Sequence, residues 1–218
     1  QLHWPERHTN RFGIRDYQHR PDDPWTDNFH EVLNTLDEIL RSGKIRKIGL
    51  SNETSWGVMR HLQESKKNNL TRCKTIQNPY SLLNRLFEVN LAEISMRENV
   101  GLLAYSPMAF GMLSGKYLNG NMPENSRLKL FPQYSRYNNP QAHELISKYL
   151  ELANELNISL AQLSLAFVNQ REFLTGNIIG ATSLEQLKEN IASIDIKFSK
   201  ETHNRIDEIQ EFQPNPAP

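Results

Sequence analysis

Short apolar runs alternate with amphipathic, helix-like stretches along nearly all 218 residues, and that alternation narrows the fold before any motif is considered. Strand-like runs stand at 2–4, 45–50, 74–77, 101–105 and 178–179. Between them, apolar residues recur every three or four positions. Val32, Leu33, Leu36, Ile39 and Leu40 predict a helix over 30–42, stopped by Gly43. Val58, Met59 and Leu62 predict another over 54–66, and Phe87, Leu91 and Ile94 a third over 86–98. Further helices are predicted over 140–156, 159–170 and 200–211, the middle one opening on the capping pair Ser159 and Gln162. Such an order builds a parallel sheet covered by helices, an α/β fold. Two segments break the rhythm. One is polar, over 6–28; the other, over 106–138, carries several Gly and Pro and is too long for a plain connector, so it reads as a lid or binding loop.

Charge and cysteine content remove several function classes. Lys and Arg number 25 and so do Asp and Glu, giving no net charge to draw nucleic acid or an anionic membrane. Cys73 is the single cysteine, which excludes an internal disulfide and suits a reducing, cytoplasmic setting. No apolar run approaches the roughly 20 residues that span a bilayer. His8, His19 and His30 have no metal-ligand spacing and, with Tyr17 and Trp25, read as solvated loop residues. The chain opens directly on Gln1-Leu2-His3-Trp4-Pro5, the tail of a strand, so residues upstream are expected to be missing.

The stretch 177–190, NIIGATSLEQLKEN, is the most specific local signal. Ile178 and Ile179 end a strand, Gly180 breaks it, and Ser183 with Gln186 has the form of a capping box. The helix that follows carries an apolar stripe at Leu184, Leu187, Ile191 and Ile194. A strand–Gly–helix junction gathers backbone N–H groups and the positive end of a helix dipole, which suits a phosphate. Gln186, Glu189 and Asn190 line one face beyond it. An ordinary strand-to-helix turn gives the same pattern, so the segment alone leaves both possibilities open. The other strand ends are similarly polar: His3, Ser51 with Asn52, Gln77 with Asn78, and Tyr105 with Ser106. In a parallel barrel these ends converge on one rim.

The words LHWP, GLSN, TIQNPYSLLNR, LLAYSPMAFGMLSGKY and IIGATSLEQLKEN, in this order, resemble the aldo-keto reductase superfamily, most nearly its bacterial Tas-like branch. The resemblance implies a (β/α)8 TIM barrel as a single domain. This chain would cover about strand 4 to strand 8 plus the C-terminal helix. It also implies NADPH as cofactor and reduction of aldehyde or ketone carbonyls, with a small-molecule carbonyl substrate and neither nucleic acid nor membrane as partner. His3 matches the catalytic histidine that orients the carbonyl. Ser51, Asn52 and Gln77 match the groups that hold the nicotinamide carboxamide, and Tyr105 the ring that stacks on the nicotinamide. Ser106, Pro107, Met108, Ala109, Gly111 and Lys116 match the loop over the pyrophosphate. Arg127, with Lys116, matches the cations near the 2′-phosphate, which favours NADPH over NADH. Gly180, Thr182, Gln186, Glu189 and Asn190 match the adenosine end.

The family's catalytic Asp, Tyr and Lys precede the fourth strand and have no counterpart here, so residues 1–218 alone are expected to be inactive. Two alternatives stand beside the enzyme: a non-catalytic NADP(H)-binding regulatory subunit of the same fold, and a truncated relic. His3 favours the enzyme, because a sensor does not need it. Five strands of an eight-stranded barrel would leave open edges, so aggregation or self-association, as in a homo-oligomer, is expected.

Overall fold

The computed structural model describes residues 1–14 and 16–218; Arg15, within the polar segment 6–28, lies outside the described residues. The chain forms two compact units. One comprises Gln1–Asn78 with Phe87–Leu103, the other Pro79–Leu86 with Ala104–Pro218. Each has the α/β character that the alternation predicts.

In the first unit, α1 (Phe29–Arg41) buries Leu33 of the predicted stripe together with Phe29 and Asp37, while Val32, Leu36, Ile39 and Leu40 are half-buried. Gly43 follows it in the left-handed region with φ 77°. Strand β1 (Ile48–Ser51) is buried at all four positions. It starts three residues later than predicted, because Arg46 and Lys47 stay in solvent. It pairs in parallel with β2 (Cys73–Pro79), Leu50 facing Ile76 and Ser51 facing Gln77. Between them runs α2 (Ser55–Asn68), capped by Thr54, whose hydroxyl accepts from the Gly57 N–H at 3.2 Å. The strand predicted at 2–4 shrinks to a single bridge, with the Leu2 N–H donating to Gly49 O at 3.0 Å.

The helix predicted over 86–98 is not continuous. A 3₁₀ turn at Leu86–Glu88 ends at the exposed Val89, and α3 (Leu91–Glu98) begins only after Asn90, whose φ of −139° is non-helical. A β-branched residue before an N-capping one interrupts what periodicity alone joins. Strand β3 (Gly101–Tyr105) has the predicted bounds, with Leu102 and Ala104 fully buried. Cys73 is buried on β2, and loss of water pushes its thiol up to about 11.

In the second unit, the segment 106–138, expected to be a lid or binding loop, is largely built from short helical turns. It holds 3₁₀ turns at Ala109–Ser114 and Leu118–Gly120 and a one-turn helix α4 (Arg127–Leu130). Met112, Leu113, Tyr117, Leu128 and Tyr137 are buried and anchor it. The Tyr117 hydroxyl accepts from the Leu128 N–H at 3.3 Å. Next comes α5 (Pro140–Glu155), capped by Asn139, then α6 (Leu160–Asn169), which is buried along most of its length. Its Ser159–Gln162 capping box forms as predicted, with both reciprocal bonds present.

Strand β4 is Leu174–Asn177, not the apolar pair that follows it. The Ile178 N–H still donates to Ala104 O at 2.8 Å, but the chain leaves the strand there and Ile178 is 41% exposed. Helix α7 (Leu184–Ala192) follows. Its stripe of Leu184, Leu187 and Ile191, continued by Ile194, is exposed, because periodicity defines an apolar face without supplying its cover. Finally α8 (Lys200–Phe212) is held by Arg85, whose guanidinium meets Asp207 at 2.7 Å. The Pro-rich tail is tied down as well: Asn215 Oδ1 accepts from the Arg85 N–H at 2.6 Å, and Ala217 is 1% exposed.

The tightest knot in the first unit is Arg7 with Glu53. Both guanidinium nitrogens reach the carboxylate, at 2.5 and 3.1 Å, and Arg7 also donates to Thr54 Oγ1 at 3.0 Å. Gly57 passes so close that a Cβ there would collide with Glu53 Oε1. Removing one partner of a buried pair leaves an uncompensated charge. Glu53→Ala is therefore expected to cost about 3–5 kcal/mol in urea unfolding. Arg97→Ala, which removes an exposed pair to Glu93, should cost under about 1 kcal/mol. Equal losses in the two variants would show that the buried pair is not a keystone.

Candidate functional site

The groups predicted to face the reacting end come from the first unit, where three consecutive chain features bring them together. Asn52 sits at the end of β1 with φ 54°, a left-handed conformation that Asn tolerates better than most residues. That turn sends the Asn52 N–H to Gln77 O at 3.0 Å. The buried Ser51 hydroxyl donates to the same oxygen at 2.8 Å. Asn52 Nδ2 donates to His3 O at 2.9 Å and to Ser51 Oγ at 3.2 Å. His3, Ser51, Asn52 and Gln77 are thus joined through two carbonyls and one amide. The His3 ring is exposed and lies 5.8 Å from the Trp4 ring, tilted by 54°. The Gln77 side chain is half-buried, while its backbone carbonyl accepts the bonds from the Asn52 N–H and the Ser51 hydroxyl just described.

A small cavity of about 120 Å³ adjoins this cluster, lined by His3, Ser51, Arg7, Trp25, Phe29 and His61 among others. A larger one of about 790 Å³ shares Arg7 and Trp25 with it and adds Tyr17, His19, Arg20 and Trp56. Tyr17 and His19 are exposed, as the sequence reading expects, whereas His8 and Trp25 are half-buried; all four line this larger, open cavity. Trp25 and Trp56 meet edge to face at 6.3 Å, and Arg7 lies 4.8 Å from the Trp56 ring centre. Aromatic residues clustered on one polar segment were the available signal. His30 instead pairs with Glu64 at 3.0 Å. Among the described residues, no three His, Cys, Asp or Glu are grouped to hold a metal ion.

The phosphate-facing candidates lie in the second unit. Ser106, Ala109 and Phe110 all have positive φ, at 55°, 47° and 58°, followed by Gly111 at 91°. Non-glycine residues in that region store roughly 1–3 kcal/mol each, and such positions concentrate where a ligand is held. Pro107 and Met108 bridge these strained positions. Met108 O accepts from the Gly111 N–H at 2.8 Å, closing the turn. Gly111 suits this turn because its φ of 91° is a conformation that side chains disfavour, and Lys116 Cε lies close to where a Cβ would stand. Lys116 therefore folds back over the turn. Between 106 and 138 stand Lys116, Arg127, Lys129 and Arg136 against Glu124 alone, and Lys129 meets that glutamate at 3.5 Å. Arg127 is exposed at the start of α4, its guanidinium 5.2 Å from the Phe110 ring centre.

Tyr105 is half-buried, and burial pushes its hydroxyl well above the usual tyrosine range against the opposing pull of Arg136. It stays neutral at any physiological pH. Tyr137, beside Ser106, is fully buried, and its hydroxyl has no partner of hydrogen-bonding geometry among the described residues. On the α7 side, Gly180 opens onto empty space, with nothing within 4 Å of where a Cβ would stand. Its carbonyl accepts from Asn190 Nδ2 at 3.3 Å. Ser183 caps the helix, but the Gln186 side chain accepts from the Thr182 N–H and hydroxyl, at 2.9 and 3.1 Å, so the predicted reciprocal bond moves one residue back. One Glu189 oxygen accepts from the Ser159 hydroxyl.

Comparison with known proteins adds a family to this geometry. Residues 1–211 match the family model described as the aldo/keto reductase family. The chain belongs to that family. Among curated relatives, the protein named "Protein tas" of Escherichia coli (strain K12) is 46% identical over 223 residues, covering all of this chain and 63% of the relative. An "Aldo-keto reductase" of Babesia bovis is 36% identical, across 88% of this chain and 71% of that protein. An "L-glyceraldehyde 3-phosphate reductase" of Escherichia coli O157:H7 is 31% identical, across 88% and 56% respectively. The chain thus spans less than two thirds of the length of "Protein tas". No helix among the described residues is long and apolar enough to cross a membrane.

One titration follows from the site. His61, on the wall of the small cavity, is buried and shares a hydrogen bond between Nδ1 and Gly57 O at 2.9 Å. Burial holds its pKa below the usual histidine value. The unfolded chain takes up that proton near about pH 6.5 while the folded one resists it. Stability is therefore full above that pH and falls as the pH drops below it. His203 shifts the same way, by its own burial and Arg171, so comparison of variant and parent isolates His61. His61→Asn should lose less stability than the parent between pH 7.5 and 5.5 in urea melts; an equal loss would remove His61 from the acid response.

Proposed function

We propose that this chain supplies the cofactor-gripping part and the carbonyl-orienting histidine of an NADPH-dependent reductase of aldehydes and ketones, built on a (β/α)8 barrel and acting in the cytoplasm. The observation that carries this reading is the segment 106–138. In a chain without net charge, it holds four cations against one acid and follows strained backbone closed around Gly111. A dinucleotide's phosphates are the ligand that such a segment suits. The open space at Gly180, in the same unit, fits the same ligand.

When bound, the nicotinamide supplies the hydride. Gln77, with Ser51 and Asn52 fixed behind it, would hold the carboxamide, whose donor and acceptor both need partners. Tyr105, kept neutral by burial, offers a ring face for stacking rather than a proton. Ser106, Pro107, Met108, Ala109, Gly111 and Lys116 would enclose the pyrophosphate, with Arg127 reaching a 2′-phosphate. Gly180, Thr182, Gln186, Glu189 and Asn190 would hold the adenosine. His3 would hydrogen-bond the carbonyl oxygen and fix the carbon for attack, a general acid–base and positioning role. The acid that protonates the product is not assigned to Tyr105 or Lys116. The aromatic cavity of Trp25, Trp56 and Tyr17 would take the rest of a small carbonyl substrate. The exposed α7 stripe would favour self-association.

Fluorescence titration of the full chain with NADPH and with NADH tests the cofactor. NADPH is expected to bind at least about tenfold more tightly, the worth of one charge-assisted phosphate contact. Lys116→Met and Arg127→Met should each erase most of that preference. Equal weak binding of the two dinucleotides would remove these cations from the site.

A further inference from the structure

We infer that Phe110 is a positioning residue that holds Arg127 for a phosphate on the nucleotide, and through it sets the preference for a phosphorylated over an unphosphorylated dinucleotide. This rests on the dinucleotide reading above.

Phe110 adopts φ 58° and ψ 24°, a conformation that a bulky residue avoids unless its surroundings impose it. Its ring meets Tyr137 edge to face at 4.9 Å and 89°, and Tyr134 at 5.6 Å. Tyr137 is fully buried, so the ring rests on a fixed wall. The Arg127 guanidinium lies over the same ring, its central carbon 5.2 Å from the ring centre. Arg127 makes no ion pair among the described residues, and Lys129 engages the one acid nearby, Glu124. A guanidinium anchored against a ring by a cation–π contact keeps its N–H groups available to grip a phosphate with two parallel bonds. Without the ring, an exposed arginine on a one-turn helix would have to give up its rotamer freedom on binding. The strained backbone at Phe110 and the exposed cation thus form one device.

The experiment titrates the full chain with NADPH and with NADH, for the parent, Phe110→Ala, Phe110→Leu, Phe110→Tyr, Arg127→Met and Phe110→Ala/Arg127→Met. Melting curves check folding, and Phe110→Leu and Phe110→Tyr keep the core filled should Phe110→Ala fail to fold. Loss of an exposed cation–π contact is expected to weaken NADPH about three- to fivefold in Phe110→Ala and Phe110→Leu. NADH affinity should not change. Phe110→Tyr, which keeps the ring, should bind NADPH like the parent. In the Arg127→Met background, Phe110→Ala should have no further effect. Equal weakening of both dinucleotides would make Phe110 scaffold only, and a Phe110→Leu variant indistinguishable from the parent would show that bulk, not the ring, is what matters. A full NADPH effect surviving without Arg127 would break the link between the two residues. A parent that binds neither dinucleotide would overturn the cofactor reading itself and this inference with it.

Discussion

The Arg7 guanidinium closes on the Glu53 carboxylate with 11% and 4% of their side chains exposed, and much of the first unit is organised around that closure. Glu53 directly follows the left-handed Asn52 and directly precedes the cap of α2, so one carboxylate joins a strand end to a helix start. It also accepts from the Thr54 N–H at 2.6 Å, while its own carbonyl accepts from Asn78 Nδ2 at 3.2 Å. From the other side, Arg7 brings in the segment 6–28 and lies against Trp56. A charge pair so poorly hydrated is stabilising only when geometry and further bonds offset desolvation, which explains the several partners on each end. The candidate reacting groups, His3 and Ser51–Asn52, are near neighbours of this knot in sequence and inherit their placement from it.

The second unit solves a different problem. Its segment 106–138 contains most of the unit's non-glycine residues in the left-handed region and a local excess of positive charge, and both are unfavourable in isolation. Buried Met112, Leu113, Tyr117, Leu128 and Tyr137 anchor that segment from beneath. Apolar burial of about 1.5–3 kcal/mol per large side chain is enough to hold several residues in the left-handed region. Glu124 with Lys129 removes the acid that would otherwise neutralise the site. The pattern is consistent with a scaffold whose stability is used to keep a cationic loop ready for an anion.

Much of the fold was legible because burial follows periodicity: α1, α2, α5, α6 and β3 lie within a residue or two of where apolar spacing puts them. Departures occur where another signal competes. Val89 and Asn90 interrupt the helix that the spacing of Phe87, Leu91 and Ile94 predicts. Ile178 and Ile179 look like a strand, yet the ladder belongs to 174–177, whose Thr and Gly carry little apolar signal. Among site residues, the types were readable from the polar strand ends, whereas their internal bonding was not. Gln186 engages Thr182, and Glu189 engages Ser159 thirty residues away, partners that no local spacing announces.

The sequence by itself determined the α/β order, the caps at Ser159 and Ser183 and the identity of the polar groups at each strand end, because these depend on contacts within a few residues. Only the tertiary structure decided that Phe110 stands under Arg127, that Arg7 closes on Glu53, and that Trp25, Trp56 and Tyr17 line one open cavity. Those arrangements join residues up to 46 positions apart, and their energy depends on which surfaces exclude water together, a property no single segment carries.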